Sequence, residues 1–338
     1  MKLLHVAVFL VAFATVSTST AAELTPRQIY ERAAPGVVLI IGHPQQGEGG
    51  SGGTGSIIRK DGLVLTNAHV VIDEKTGKPY PRLSLYLKPD RVTGNPKTDL
   101  SRRVNVSVTA FNRQLDLALL KMEASPASLP VLDLSDPDRV KIGERVVAIG
   151  HPEQGGLWTL TTGVVSAEFE DYGNTKGKHV FQTETGLNRG NSGGPLLDTQ
   201  GRIIGVNTAI ARLAADGVPI MSISFAVKSS VARTWLREQA VTVDYAPAQP
   251  ERAPVPAQAP QAPQAPVTSA PEKPAVQPPP SVSAPTAPPP KAVPPPQVHT
   301  ERRPYDLDEL IRGAKSEAER DLDQMMQDMR QKKTKPRK

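Results

Sequence analysis

The chain has 338 residues, no cysteine, 34 prolines and a formal net charge of +6. The missing cysteine excludes a disulfide framework, a thiolate metal site and a cysteine nucleophile. The weak basic balance lacks the local bias of a phosphate-gripping groove, so no nucleic-acid partner is expected. At the start, Lys2 precedes an apolar run from Leu3 to Val16 and a small-residue stretch from Ser17 to Ala22. Residues 1–22 therefore read as a secretory signal peptide. The run is shorter than the roughly 20 residues that span a bilayer, with an uncleaved anchor as the alternative. The chain is expected to be exported, to a periplasm or the medium, beginning near Glu23.

Residues 23–245 form the foldable part. Thr25-Pro26-Arg27-Gln28 opens a short helix with Thr as cap and Pro at its first position. Short apolar runs follow at 37–41, 56–58, 63–65, 83–87, 104–108, 117–120, 146–149, 160–166, 203–206 and 220–227. They are separated by Gly, Pro, Asp and Asn, and the long helices of a βαβ fold are missing. Ser229 to Glu238, with Val231, Trp235 and Leu236 on one side, reads as a closing helix. The class is all-β, a sandwich or barrel with short flanking helices.

Three pieces of this domain carry chemistry. In Gly190-Asn191-Ser192-Gly193-Gly194-Pro195 a serine lies among glycines just before an apolar strand. The glycines let the backbone turn tightly, uncover the hydroxyl and point successive N–H groups into one concavity, as a nucleophile with an oxyanion hole requires. Such a serine needs a base. Of the six histidines, His69 ends a buried strand among small residues, whereas His43 and His151 precede proline in apparent loops. The base needs a carboxylate to fix its tautomer, and Asp116 stands inside an apolar segment where an unpaired acid would be costly.

Taken together, Thr66-Asn67-Ala68-His69-Val70-Val71, Asp116-Leu117-Ala118-Leu119-Leu120-Lys121 and Gly190 to Pro195 resemble the HtrA family of trypsin-fold serine proteases. Gly53 to Ile58, Ile142 to Pro152 and Gly205 to Ile210 support the likeness. The resemblance implies two perpendicular six-stranded β-barrels, peptide-bond hydrolysis through an acyl-enzyme, and no metal or organic cofactor. It makes Ser192 the nucleophile, His69 the base and Asp116 its orienting acid. The backbone N–H groups of Gly190 and Ser192 become the oxyanion hole. It further implies a specificity pocket at Gly186, Leu187 and Asn188, suited to small or medium aliphatic side chains. Ile223, Ser224 and Phe225 are expected to form the strand that binds the substrate backbone. Two departures are expected: no PDZ module follows, and Arg189 stands where the family usually has proline. A free φ and a charge there allow the peptide to turn away, leaving a resting loop until 187–191 orders.

Residues 246–300 are expected to form a disordered linker, with 19 prolines between Ala246 and Val298. Such a segment cannot bury enough apolar surface to offset its ordering entropy, and serves as a semi-rigid spacer or a proline-motif ligand. Residues 301–338 read as a charged amphipathic helix opened by Asp306-Leu307-Asp308-Glu309, with five basic residues in the last seven. Its stripe, over 306–330, suits self-association, a protein partner or docking on the protease, and the basic tail suits an anionic membrane surface. The expected function is a secreted serine endopeptidase acting on unfolded or misfolded proteins and peptides. The alternative is a protease-fold chaperone or binding protein with conditional hydrolysis.

Overall fold

The computed structural model describes residues 23–44, 50–153, 155–210, 223–247 and 308–313, all within one compact unit. The expected signal peptide, the linker from 248 onward and the terminal helix beyond 313 lie outside the described residues. The first element is helix α1, Pro26–Ala33. Its N-terminus is closed reciprocally: the Gln28 amide donates to Thr25 Oγ1 at 3.3 Å, and the Thr25 amide to Gln28 Oε1 at 2.9 Å.

Six strands then close a first barrel: β1 Val37–His43, β2 Ser51–Arg59, β3 Leu63–Thr66, β4 Arg82–Leu87, β5 Arg103–Asn112 and β6 Leu117–Met122, in the order β1-β2-β3-β6-β5-β4. Two one-turn helices interrupt it, α2 Ala68–Val71 after β3 and α3 Pro96–Asp99 after β4. A second barrel uses β7 Arg145–Gly150, β8 Thr159–Phe169, β9 Val180–Thr183, β10 Pro195–Leu197, β11 Ile203–Ile210 and β12 Ser224–Lys228. Its order is β10-β11-β12-β9-β8-β7. Helix α4, Ser229–Glu238, closes the domain with Val231, Trp235 and Leu236 buried, as its spacing predicts.

Every residue of β1 is buried because its two faces meet different cores. Val38 and Ile40 point into the first barrel with Ile57, Val64, Leu85 and Leu120. Val37, Leu39 and Ile41 point the other way, into a core shared with Ile149, Leu197, Val227 and Trp235 of the second barrel. Period-two alternation thus places β1 in the wall between barrels. Trp158 adds a directional tie, donating its indole N–H to the Val37 carbonyl at 2.8 Å. The strand β9, four residues long, and the helices α2 and α3 go beyond the sequence reading. None is long enough to show a period of its own.

Candidate active site

His69 lies in α2, the single turn that leaves β3, rather than at the end of the strand itself. Its ring Nδ1 is 2.8 Å from Asp116 Oδ2 and 3.0 Å from Oδ1, and its backbone N–H donates to Oδ1 at 3.1 Å. Asp116 closes the turn before β6 with φ of +58°, a left-handed conformation that Asp tolerates better than most residues. The Asn67 amide fixes that turn by donating to the Asp116 carbonyl at 2.8 Å. The Thr208 hydroxyl donates to the same Oδ2 in a short hydrogen bond. Burial alone pushes the Asp116 pKa up, but the donors and charge of His69 and the Thr208 hydroxyl outweigh it and hold the acid below its usual value. An ionised Asp116 can only accept, so Nδ1 carries a proton and, in the neutral ring, Nε2 is left as the base.

The turn bearing Ser192 is packed directly on the segment that carries His69. A Cβ at Gly193 would lie 2.1 Å from Thr66 Oγ1 and 3.0 Å from the Asn67 amide nitrogen, and its φ is +83°. Gly190, at φ +97°, is closer still to the 151–153 loop: a Cβ there would sit 2.0 Å from the His151 carbonyl oxygen. Both positions therefore require glycine on two counts, backbone angle and space. Asn207 of β11 clamps the far side, its carbonyl accepting from the Gly193 amide at 2.8 Å and its own amide donating to the Gly194 carbonyl at 2.9 Å. Among the described residues no hydrogen bond joins Ser192 Oγ to His69. In a substrate-free protein such contacts are often long and tighten only in the complex.

The carbonyls around Ser192 are tied outward one by one. The Glu153 amide donates to the Arg189 carbonyl at 2.7 Å, and the Gly194 amide to the Asn191 carbonyl at 3.1 Å. These carbonyls share their peptide units with the N–H groups of Gly190 and Ser192. In a trans peptide the two dipoles oppose, so anchoring each C=O turns its N–H the other way. Thr54 of β2 secures the rest: its amide donates to the Ser192 carbonyl at 2.8 Å and its hydroxyl to the Gly190 carbonyl at 2.6 Å. Since that hydroxyl proton is used, the His151 ring, with Nδ1 2.9 Å away, is the donor to Thr54 Oγ1. His151 is wholly buried and meets Trp158 edge-on with centroids 4.8 Å apart. Burial pushes its pKa down to about 3, so the ring stays neutral and acts as a strut.

The residues expected to bind substrate divide into two groups. Gly186 is exposed, and a Cβ there would meet nothing within 4 Å, so the position opens onto free space. Leu187 and Asn188 are half-buried, and Asn188 shapes the turn: its side chain accepts from the Arg189 amide at 2.9 Å and its carbonyl from the Asn191 amide at 3.0 Å. Ser224 and Phe225 correct the sequence reading. Ser224 is paired with Ile210 on one side and Thr183 on the other, and Phe225 with Ala209 and Gln182. With both edges of β12 occupied and Ile223 just ahead of the strand, these residues have no ladder to offer a substrate. Past Asn207, by contrast, β11 pairs with β12 alone among the described residues, which leaves one edge of 208–210 open beside Asp116. Nor does the loop adopt the expected turned-away state. Arg189 is held at its carbonyl by the Glu153 amide, and its guanidinium lies 3.5 Å from the Glu153 carboxylate and 3.2 Å from Asp308.

Thr208, Thr54, Glu153 and His151 are site residues that the sequence reading missed. Thr208 stood within a stretch that supported the family likeness, yet no local pattern marks its hydroxyl as a partner of Asp116. Among the described residues, no three His, Asp or Glu side chains are gathered to hold a metal ion.

Residues 53–206 match the trypsin-like peptidase domain. The chain is 36% identical over 189 residues to a probable periplasmic serine endoprotease DegP-like of Marinomonas sp. (strain MWYL1), covering 56% of this chain and 35% of that protein. It is also 36% identical over 207 residues to the protein of that name in Pseudomonas fulva (strain 12-X), covering 61% and 38%. Among solved structures it is similar to the HtrA-type protease AlgW with tripeptide, at TM-score 0.52 and 28% identity over 64% of each chain. The chain thus spans little more than a third of the curated relatives' length. The described domain thus matches the trypsin-like peptidase domain over 53–206 and is similar in sequence and fold to HtrA-type serine proteases.

Proposed function

We propose that this HtrA-like chain is an exported serine endopeptidase that cuts extended segments of unfolded proteins through an acyl-enzyme. The observation that carries the reading is the Asp116 carboxylate holding His69 Nδ1, beside a Ser192 turn whose Arg189, Gly190, Asn191 and Ser192 carbonyls each accept a hydrogen bond. In the reaction Ser192 Oγ bonds to the scissile carbonyl carbon while His69 Nε2 takes the hydroxyl proton. The carbonyl π electrons move onto oxygen, where the Gly190 and Ser192 N–H groups meet the new charge. The C–N bond then breaks, and the amine leaves with the proton from His69. Water, deprotonated by His69, releases the acyl group and restores Ser192. Asp116 stays ionised throughout and stabilises the imidazolium.

The preference for extended substrate follows from the open edge at 208–210. A strand edge pairs only with a segment that can itself become a strand, which excludes folded helices and closed sheets. The open space at Gly186 then receives the side chain before the cut. Position 186 itself carries no acid to pair with Lys or Arg, which favours a small or medium aliphatic group. The relatives named periplasmic, together with the basic-apolar start of the chain, support export to a periplasm.

The test is digestion of a chemically unfolded protein by the full chain, with the fragments sequenced by mass spectrometry. New termini following small aliphatic residues, absent with Ser192→Ala, are expected. Fragments that persist in the Ser192→Ala protein, or none from the wild type, would overturn the reading.

A further inference from the structure

We infer that the helical segment 308–313 is a built-in partner of the oxyanion turn, acting on it through Arg189. The segment is separated from Arg189 by 119 positions, yet Asp308 Oδ1 lies 3.2 Å from the Arg189 guanidinium. The same guanidinium reaches Glu153, whose backbone N–H holds the Arg189 carbonyl. Asp308, Arg189 and Glu153 thus form a chain of opposite charges that ends on the peptide whose N–H belongs to Gly190. The ion pair alone would hold little, because both side chains are about half exposed. The anchor is apolar: Ile311 is 3% exposed and joins the core shared by the two barrels, with Leu310 packed beside it. Gly50, at the entry to β2, makes the room; a Cβ there would lie 2.6 Å from Ile311 Cγ2.

This arrangement gives the unusual arginine a purpose. A residue with free φ before Gly190 lets the peptide rotate, and rotation would present a carbonyl, not an N–H, to the developing oxyanion. Asp308 and Arg189 are therefore positioning residues, and docking of 308–313 favours the competent orientation. The inference rests on the serine-protease reading for its catalytic consequence, but the docking can be measured without catalysis.

The experiment uses the full chain, wild type against Asp308→Asn, Ile311→Ala and the exchange Arg189→Asp with Asp308→Arg. Backbone hydrogen exchange over 187–193 is read alongside kcat and KM for a peptide substrate. Expected are faster exchange in both single variants, kcat lowered on the order of 3- to 10-fold with KM changed less than twofold, and partial recovery in the exchange. Unchanged exchange over 187–193 overturns the inference whatever the activity. A rise in kcat, or a change in KM alone, overturns it too, marking the segment as a cover or a substrate contact. Loss of wild-type activity on dilution would assign the docked segment to a second copy and overturn the intramolecular form. Ser192-dependent labelling of the wild type by a fluorophosphonate separates these failures from failure of the protease reading itself.

Discussion

The Asp116 carboxylate accepts from both the ring Nδ1 and the backbone N–H of His69, so one acid fixes the position of the base and the tautomer of its ring. The Thr208 hydroxyl completes the same carboxylate from the second barrel. Base, acid and supporting hydroxyl therefore come from both barrels, and the cleft between them is where the site can exist.

Asp116→Asn removes the acceptor that keeps the proton on Nδ1, since an amide can donate and favour the wrong tautomer. We expect kcat to fall on the order of 10³–10⁴-fold with KM little changed. Steady-state kinetics on a peptide substrate measures this. A loss below tenfold would mean that His69 does not depend on Asp116.

Thr54→Val deletes the hydroxyl that holds the Gly190 carbonyl while keeping the side-chain volume. Leaving a buried carbonyl without its donor costs about 1–3 kcal/mol, felt where the oxyanion turn must stay rigid. The expected outcome is a kcat loss of about 5- to 150-fold, with near-normal kcat in Thr54→Ser. Equal kinetics for Thr54→Val and Thr54→Ser would remove the hydroxyl from the account.

Burial of His151 has a pH signature. Its folded pKa, about 3, lies below the ordinary 6.5. The neutral ring therefore favours the fold above about 6.5, and that contribution drains away as the pH falls toward about 3. The slope is at most about 1.4 kcal/mol per pH unit for this one group. Urea unfolding between those limits should be flatter in His151→Gln than in the wild type. Matching slopes would mean that the ring is protonated in the folded protein.

Gly186→Val fills the open space at the proposed pocket. Rates on substrates with Leu or Met before the cut should fall by about 10- to 200-fold relative to those with Ala, the range expected for a methylene or two. Competition between paired peptides gives the ratio directly. An unchanged ratio would move the pocket elsewhere.

Much of this was legible in the chain. The three residues proposed as the triad stand in segments whose turn and strand signals are local: Gly190 to Pro195 must turn tightly, and Asp116 is an acid among apolar neighbours. The helix at Thr25 and the closing helix at Ser229 carry their own caps and periodicity. The supporting contacts were not legible, because Thr54 reaches the Gly190 carbonyl across 136 positions and the His151 ring across 97, and pairings so distant in the chain leave no local pattern. The error at Ser224 and Phe225 has a related cause. Whether a strand has a free edge depends on its neighbours in the sheet, and β12 reads the same either way. Arg189 departs visibly from the family pattern, but its partner Asp308 lies beyond a proline-rich stretch that hides any relation between them.

We propose that His69 and Asp116 activate Ser192 as a nucleophile. Labelling of the full chain with a fluorophosphonate, mapped to the peptide level, tests it most directly. The account predicts a single phosphonylated serine, Ser192, with labelling abolished in Ser192→Ala and slowed by orders of magnitude in His69→Ala and Asp116→Asn. No labelling of the wild type, even with unfolded protein present, or equal labelling in His69→Ala, would contradict it.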